Sequence, residues 1–402
     1  MVEVGRATAS GRRWLVLAMG LLAQTASCSF LYGIPFLVPE MRADEGLTLA
    51  EAGTVVAAPS VGLLLTLIAW GAAADRFGER LIMAIGLGLS GLLLLYSSFG
   101  TRSLGTLFAL YLLAGAASAS VNAASGRVVM GWFGASERGV AMGARQTAQP
   151  IGVGIAALAL PPIAAVADFR TAMLFPALFM LLAAVLVALL VVDPPRPALR
   201  SGAGGGKAPS PYRAPALWRL HAASAALVVP QAAVSTFAPV YLVAVHDWSA
   251  LAAGWFFAGV QALGACGRLA SGYWSDRVGS RLRPMRRLAV ASAAVMLVVA
   301  VGDASWPWLV VVALVLAGVI TVSDNGLGFT ATAEFAGTSW AGRAMGAQNT
   351  GQNLCAALTP PLLGLLIGDT RYALAFALVA VFPVAAIWLT PVRAEDEASG
   401  TD

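Results

Sequence analysis

Gly71-Ala-Ala-Ala-Asp-Arg-Phe-Gly-Glu-Arg80 and Gly272-Tyr-Trp-Ser-Asp-Arg-Val-Gly-Ser-Arg281 agree at Gly, Asp, Arg, Gly and Arg. The agreement extends outward from this pair. Gly139-Val-Ala-Met-Gly-Ala-Arg-Gln-Thr-Ala-Gln-Pro150 matches Gly342-Arg-Ala-Met-Gly-Ala-Gln-Asn-Thr-Gly-Gln-Asn353 at Gly, Ala, Met, Gly, Ala, Thr and Gln. Ala114-Gly115, Ser120 and Asn122 correspond to Ala317-Gly318, Ser323 and Asn325. All three pairs keep one order and nearly one offset, as expected of an internal duplication. Chemically, Gly78 and Gly279 allow a tight turn. Asp75 and Asp276 sit where a carboxylate can face the unpaired N–H groups of a neighbouring helix N-terminus.

Composition decides the medium in which the repeats fold. Of 402 residues, 25 are Lys or Arg and 20 are Asp or Glu, only 11%, while 59% are hydrophobic. A soluble domain carries roughly 25% charge, and so few polar residues cannot cover a water-facing surface. A soluble enzyme, a disordered chain and a nucleic-acid-binding domain are excluded on this ground. A spanning helix takes about 20 apolar residues. Breaks at charge, Pro and Gly divide the chain into twelve spans: 14–40, 48–73, 81–99, 103–131, 138–165, 171–192, 216–244, 249–274, 285–303, 306–332, 340–367 and 372–391. The first run, Trp14 to Val38, is too long for the core of a signal peptide. Cys28, Cys266 and Cys355 lie in apolar runs without disulfide or metal-ligand spacing, so no metal and no cofactor are expected.

The fold class expected is therefore an all-α membrane protein, with twelve transmembrane helices in two parallel-repeat six-helix bundles. Residues 1–192 form the first half and 216–402 the second, the latter ending in a short acidic tail. Residues 193–215, rich in Pro, Gly and Ser, form the linker. With the N-terminus cytoplasmic, the basic residues outside the spans gather on the cytoplasmic side, from Arg6, Arg12 and Arg13 to Arg393. Only Arg42, Arg102, Arg170 and Arg371 fall on the other side. The positive-inside rule places both termini in the cytoplasm of a multi-pass cell-membrane protein. A parallel repeat also predicts a substrate site near the midplane where the halves meet, reached alternately from either side.

The stretch Gly-x-x-x-Asp-Arg-x-Gly-x-Arg, after the second span and again after the eighth, resembles the signature loop of the major facilitator superfamily. The resemblance covers essentially the whole chain. It implies a secondary transporter in which Gly71, Asp75, Arg76, Gly78, Arg80 and Gly272, Asp276, Arg277, Gly279, Arg281 act as gating loops. Arg127, at the end of the fourth span, is either a partner of Asp75 or one more positive-inside charge.

Charge kept inside a span costs several kcal/mol, and three residues carry it: Arg145, Arg268 and Asp324. Guanidinium forks match carboxylates, so Arg145 and Arg268 point to a small organic anion, a carboxylate first. Both arginines have a second reading, Arg268 snorkelling to the cytoplasmic face and Arg145 gating between halves. Gly267-Arg268-x-x-x-Gly272-x-x-Ser275-Asp276-Arg277-x-Gly279 is similar to the eighth span of monocarboxylate and oxalate/formate transporters, which implies an Arg268 contact with substrate carboxylate. Trp132-Phe133 followed by Glu137-Arg138-Gly139 also resembles their fourth-to-fifth loop. Two features depart from that branch: an acidic-Gly-aromatic signature is missing from the first span, and Gln348 and Asn349 stand where a lysine would be in the eleventh.

Asp324 is the acidic residue suited to proton coupling, because a buried carboxylate exchanges protons as access alternates; the other possibility is an ion pair with Arg268 or Arg145. Neutral polar residues Gln24, Tyr32, Asn122, Gln149, Gln231, Tyr241, Gln261 and Asn325 are candidates for the substrate path, and equally for helix-to-helix glue. His221 and His246, near span ends, are expected to be solvated. The function expected is proton-coupled movement of a small organic anion by alternating access. The partners expected are the lipid bilayer, the substrate and protons, with no nucleic acid, in a monomer. A drug or metabolite exporter working by proton antiport on the same fold is the alternative, and a membrane sensor without transport ranks behind it. An enzyme is not expected.

Overall fold

The computed structural model describes residues 2–100, 103–194, 210–302, 307–367 and 372–399. Most of the expected linker, together with Arg102 and Arg371, lies outside these residues. Helices are the regular structure throughout, with no strand among the described residues. The first half contains α1 (Val2–Leu31), α2 (Val38–Glu45), α3 (Leu49–Phe77), α4 (Glu79–Gly100) and α5 (Leu104–Trp132). It continues through α6 (Arg138–Gln146), α7 (Ala148–Val166), α8 (Phe169–Ala172) and α9 (Leu174–Leu190). The second half contains α10 (Pro215–His246), α11 (Ala250–Val278), α12 (Leu282–Gly302), α13 (Pro307–Ser323) and α14 (Asn325–Ala336). It ends with α15 (Ala341–Ile367), α16 (Tyr372–Val379), α17 (Val381–Leu389) and the short amphipathic α18 (Val392–Ser399).

Among the described residues, ten helical segments are long and apolar enough to cross a membrane. Two more, α11 and α15, have spanning length but carry Gln261 and Arg268 in one and Gln348, Asn349, Gln352 and Asn353 in the other. Together they account for the twelve spans. Large apolar side chains face outward, Val166, Leu365, Leu158 and Trp388 among them, a surface that only lipid solvates well.

Several spans are broken. The first is interrupted after Leu31, because Pro35 lacks the N–H that would bond the Leu31 carbonyl, and resumes through Ile34–Leu37 to run on to Glu45. The fifth breaks at Thr147 between α6 and α7, and the tenth at Asp324 between α13 and α14. The fifth-span break has a local cause: Pro150 cannot donate to the carbonyl four residues back, that of Gln146.

Two compact units emerge, and each takes a segment from the other half of the sequence. One comprises Met1–Gly134, Thr147–Pro209 and Thr338–Ala347; the other comprises Ala135–Gln146, Ser210–Gly337 and Gln348–Asp402. In the first, α3 and α5 cross closely because Gly62 and Gly115 place no side chain between them; a Cβ on either would collide with backbone. Thr66 Oγ1 and Trp70 Nε1 then both donate to the Ala116 carbonyl, at 2.8 and 2.7 Å. Small residues that admit hydrogen bonds replace hydrophobic drive where the solvent is itself apolar. Tyr111 packs edge-on to Phe30 in the core of this unit. Tyr241, Tyr372 and Phe376 form the corresponding aromatic contact in the other.

Candidate functional site

Each signature loop places its aspartate on the first amides of a helix. Asp75 accepts from the backbone N–H groups of Gly342 and Arg343, at 2.9 and 3.2 Å. Asp276 accepts from those of Gly139 and Val140, both at 2.9 Å. Gly71 lies against Gly342 and Gly272 against Gly139, so closely that a Cβ on any of the four would strike backbone. The carboxylate is thereby held where the helix dipole favours a negative charge.

The cations differ. Arg127 reaches from α5 to Asp75 at 2.5 Å and to the fully buried Glu79 at 2.7 Å, and Arg343 Nε adds a contact to Asp75 at 2.9 Å. At the other loop Arg281, from the signature itself, binds Asp276 at 2.5 Å and also donates to the Ala135 carbonyl. Arg80, its counterpart, is exposed; its backbone N–H bonds Asp193 at 2.8 Å. Arg76 and Arg277 lie over the rings of Phe77 and Tyr273. Gly78 and Gly279 both have positive φ, 98° and 66°, and so supply turns that other residues enter with strain.

Two further acids, not among the candidates read from sequence, hold these loops from behind. Asp193 bonds the Arg80 amide, and Glu395 in α18 accepts from the amides of Arg281 and Leu282 and from Ser280 Oγ. The signal available was position: each follows the last span of its half, 202 residues apart by number.

Arg145 and Arg268 are both buried and meet at one residue. Arg145 Nη1 donates to the Gln146 side-chain oxygen at 2.9 Å, and Arg268 Nη1 donates to the Gln146 main-chain carbonyl at 2.5 Å. That carbonyl is the one Pro150 leaves without a helical partner, so Arg268 satisfies it. Gly143 lets α6 lie directly on the Arg268 backbone, and Arg145 lies over the Phe329 ring. Asp324 is buried at the α13–α14 break, with Oδ2 lacking a hydrogen-bond partner. Ser271 Oγ on α11 donates to the Ser323 carbonyl at 2.6 Å, which brings this break alongside the helix that carries Arg268.

The neutral candidates separate into groups. Asn122 accepts from Gln24 at 2.9 Å, and Asn325 donates to Gln231 at 3.0 Å, so each half ties its fourth span to its first by an Asn–Gln bond. Tyr241 sits in the aromatic core against His246, Tyr372 and Phe376, apart from the buried arginines in its contacts. Tyr32 packs on the core of the first unit. Gln149 is half-buried on α7, and Gln261 is half-buried on α11 seven residues before Arg268. His221 is not simply solvated: it hydrogen-bonds the Tyr212 hydroxyl and Gln348, and Gln348 also accepts from Thr332.

The model of the Major Facilitator Superfamily matches residues 20–360. An uncharacterised MFS-type transporter of Mycobacterium tuberculosis is 43% identical over 387 residues, covering 96% of this chain and 86% of that protein. A Bacillus subtilis protein named "Probable galactarate/D-glucarate transporter" is 25% identical over 396 residues, covering 89% and 86%. Among solved structures, the human organic anion transporter MFSD10 superposes with a TM-score of 0.77 at 16% identity, over 94% of this chain and 99% of that one. The duplicated loops, the twelve helices and these matches have one explanation: the chain belongs to the major facilitator superfamily, as a multi-pass membrane transporter.

Proposed function

We propose that this transporter moves a small organic anion, with a carboxylate as the favoured class, and that protons drive the movement through Asp324. The observation that carries this reading is the convergence of Arg145 and Arg268 on Gln146 beside the half-satisfied carboxylate of Asp324. Two buried cations against one acid leave a net positive site, and an anion offsets it; guanidinium forks bind carboxylate in two-point fashion. A relative named for the sugar diacids galactarate and glucarate supports the substrate class, as does the similarity of the eighth span to the monocarboxylate and oxalate/formate branches. Residues 1–192 and 216–402 are the two repeats, joined by a cytoplasmic linker with both termini on that side, and the signature loops are the gating contacts. Asp324 carries the proton, being the acid kept at a helix break without a full set of partners.

Uptake by proteoliposomes, with a panel of carboxylates and an imposed pH gradient, tests the proposal. Arg268→Ala should lower anion uptake about tenfold or more, the value of one charge-assisted contact. Asp324→Asn should abolish accumulation driven by the gradient while leaving exchange of labelled substrate. Uptake of neutral or cationic compounds but no anions would sink the substrate class, and intact gradient-driven accumulation in Asp324→Asn would remove the coupling role. A second reading, in which Arg268 is a structural strut, is favoured by its bond to the carbonyl freed by Pro150. The double variant Pro150→Ala/Arg268→Ala separates the two. Restored uptake marks a strut, because the alanine amide replaces the missing donor, whereas continued failure marks substrate contact.

A further inference from the structure

Outside the buried site, one cavity has arginine at four of its six lining positions. It measures about 370 Å³ and is bounded by Arg283, Arg286 and Arg287 of α12 and by Val392, Arg393 and Asp396 of α18. Four guanidiniums therefore face one carboxylate. Arg283 pairs with Asp396 at 2.9 Å, both half in solvent, and Arg287 lies 5.7 Å from the Trp274 ring. Arg286 and Arg393 have no carboxylate within ion-pair reach among the described residues.

Three features set this cluster apart from ordinary basic residues at a membrane surface. Arg283, Arg286 and Arg287 share one helical face, at i, i+3 and i+4, in the first two turns of α12. That is the positive end of the helix dipole, the end that repels cations. The backbone amides there are already taken, since Glu395 accepts from Arg281 and Leu282, and Ser280 from Arg283; only side chains remain to bind anything. Finally, the repeat lacks the cluster. Counting 201 residues back, the positions of Arg283, Arg286 and Arg287 are Ile82, Ile85 and Gly86. Orientation and fold in the first half are achieved without it.

We propose that this cavity binds a phosphate group at the membrane face, bridging Arg286 and Arg287 of α12 to Arg393 of α18. Phosphate oxygens fit the guanidinium fork, and basic pockets beside membrane helices take anionic headgroups. Trp274 next to Arg287 suits the interfacial level at which a headgroup phosphate lies. Such a bridge fastens α18 to α12 and so keeps Glu395 on the second signature loop. The chemistry is common to an anionic phospholipid and to a free phosphate, and the experiment distinguishes them.

The full-length protein, delipidated in detergent, is titrated with dioctanoyl phosphatidylglycerol, with dioctanoyl phosphatidylcholine, and with inorganic phosphate at fixed ionic strength. Affinity is read by the thermal unfolding midpoint and by lipid retention in native mass spectrometry. Phosphatidylglycerol should bind and raise the midpoint, and phosphatidylcholine should not. Arg286→Gln/Arg287→Gln should weaken phosphatidylglycerol binding about thirty-fold and Arg393→Gln about fivefold, at about one surface-arginine contribution each. Arg213→Gln, an exposed arginine elsewhere, should bind as wild type. Inorganic phosphate that competes with the lipid supports the site with a soluble source as well. Equal lipid affinity in wild type and Arg393→Gln overturns the proposal, and that variant, at an exposed position on α18, decides the matter if the double variant does not fold.

Discussion

Two helix crossings in this protein share one backbone geometry and differ in what they carry. Where α3 meets the start of α15, Gly71 lies on Gly342 and Gly346 on the backbone of Leu67. Where α11 meets α6, Gly272 lies on Gly139 and Gly143 on the backbone of Arg268. The glycine contacts and the aspartate on the helix N-terminus occur in both, so they are scaffold. Leu67 and Arg268 occupy the same place, as do Val121 and Asp324 by the offset of the Asn122–Asn325 pair. The charged members all fall in the second unit. The frame is repeated, and these two buried charges stand on one copy of it.

The signature loops teach a related lesson about ion pairs. Glu79 and Arg127 in the first loop stand where the second has Ser280 and Thr330, so both charges of the pair are replaced together. That is the physically tolerable exchange, since a lone buried charge is costly while a neutral pair is not. Arg281 then takes over the contact to the aspartate. It can do so because α11 ends at Gly279 with φ 66°, ψ 24°, and residues 279–281 lie outside any helix before α12 begins. After Gly78, at φ 98°, ψ 159°, α4 begins at once and Arg80 is left in solvent.

The largest expected effect breaks the first loop's pair. Arg127→Met leaves Glu79 buried without its cation and should cost about 3–5 kcal/mol, visible as a large fall in the unfolding midpoint of the purified protein. Installing the second loop's residues, Glu79→Ser with Arg127→Thr, should recover most of the loss; a double variant as damaged as the single one would show that the two loops are not exchangeable. Next, Gly342→Ala and Gly139→Ala should each cost about 1–3 kcal/mol, because a Cβ there meets backbone that cannot yield. Unequal losses would mean that only one crossing is tight. Arg281→Ala should cost about 1.5–3 kcal/mol through lost charge-assisted bonds, against less than about 0.5 kcal/mol for the exposed Arg80→Ala. The same midpoint measurement on both gives the contrast. The smallest effect is that of the acids behind the loops. Asp193→Asn and Glu395→Gln should each lose about 1 kcal/mol, with Glu395→Gln the larger because it accepts from more groups.

Much of this frame was legible in the chain. Spans show as long apolar runs, the repeat as matched residues at a fixed offset, and Asp75 and Asp276 as acids just past a helix end. Breaks inside spans were harder to place. Pro150 marks the one at Thr147 by arithmetic, but nothing in Ser323-Asp324-Asn325 announces the one in the tenth span. Arg127 had two readings from sequence, and its bonds to Asp75 and Glu79 settle it as a partner. The neutral polar residues also looked alike in sequence; their division into Asn–Gln ties and an aromatic core around Tyr241 depends on which helix faces which.

What the sequence alone determined is the class: too little charge for water, twelve apolar stretches, a duplicated signature. Those follow from composition and local spacing, because burial of backbone polar groups in lipid leaves helices as the available structure. Tertiary structure decided the partners. Arg281 rather than Arg80 serves its aspartate, Arg145 and Arg268 meet on Gln146, and four arginines gather between α12 and α18. The Arg268–Gln146 bond and the arginine cluster join residues distant in the chain, set by how closely glycines let helices approach, whereas the Arg281–Asp276 pair spans five residues and is set by which way a short turn points a side chain.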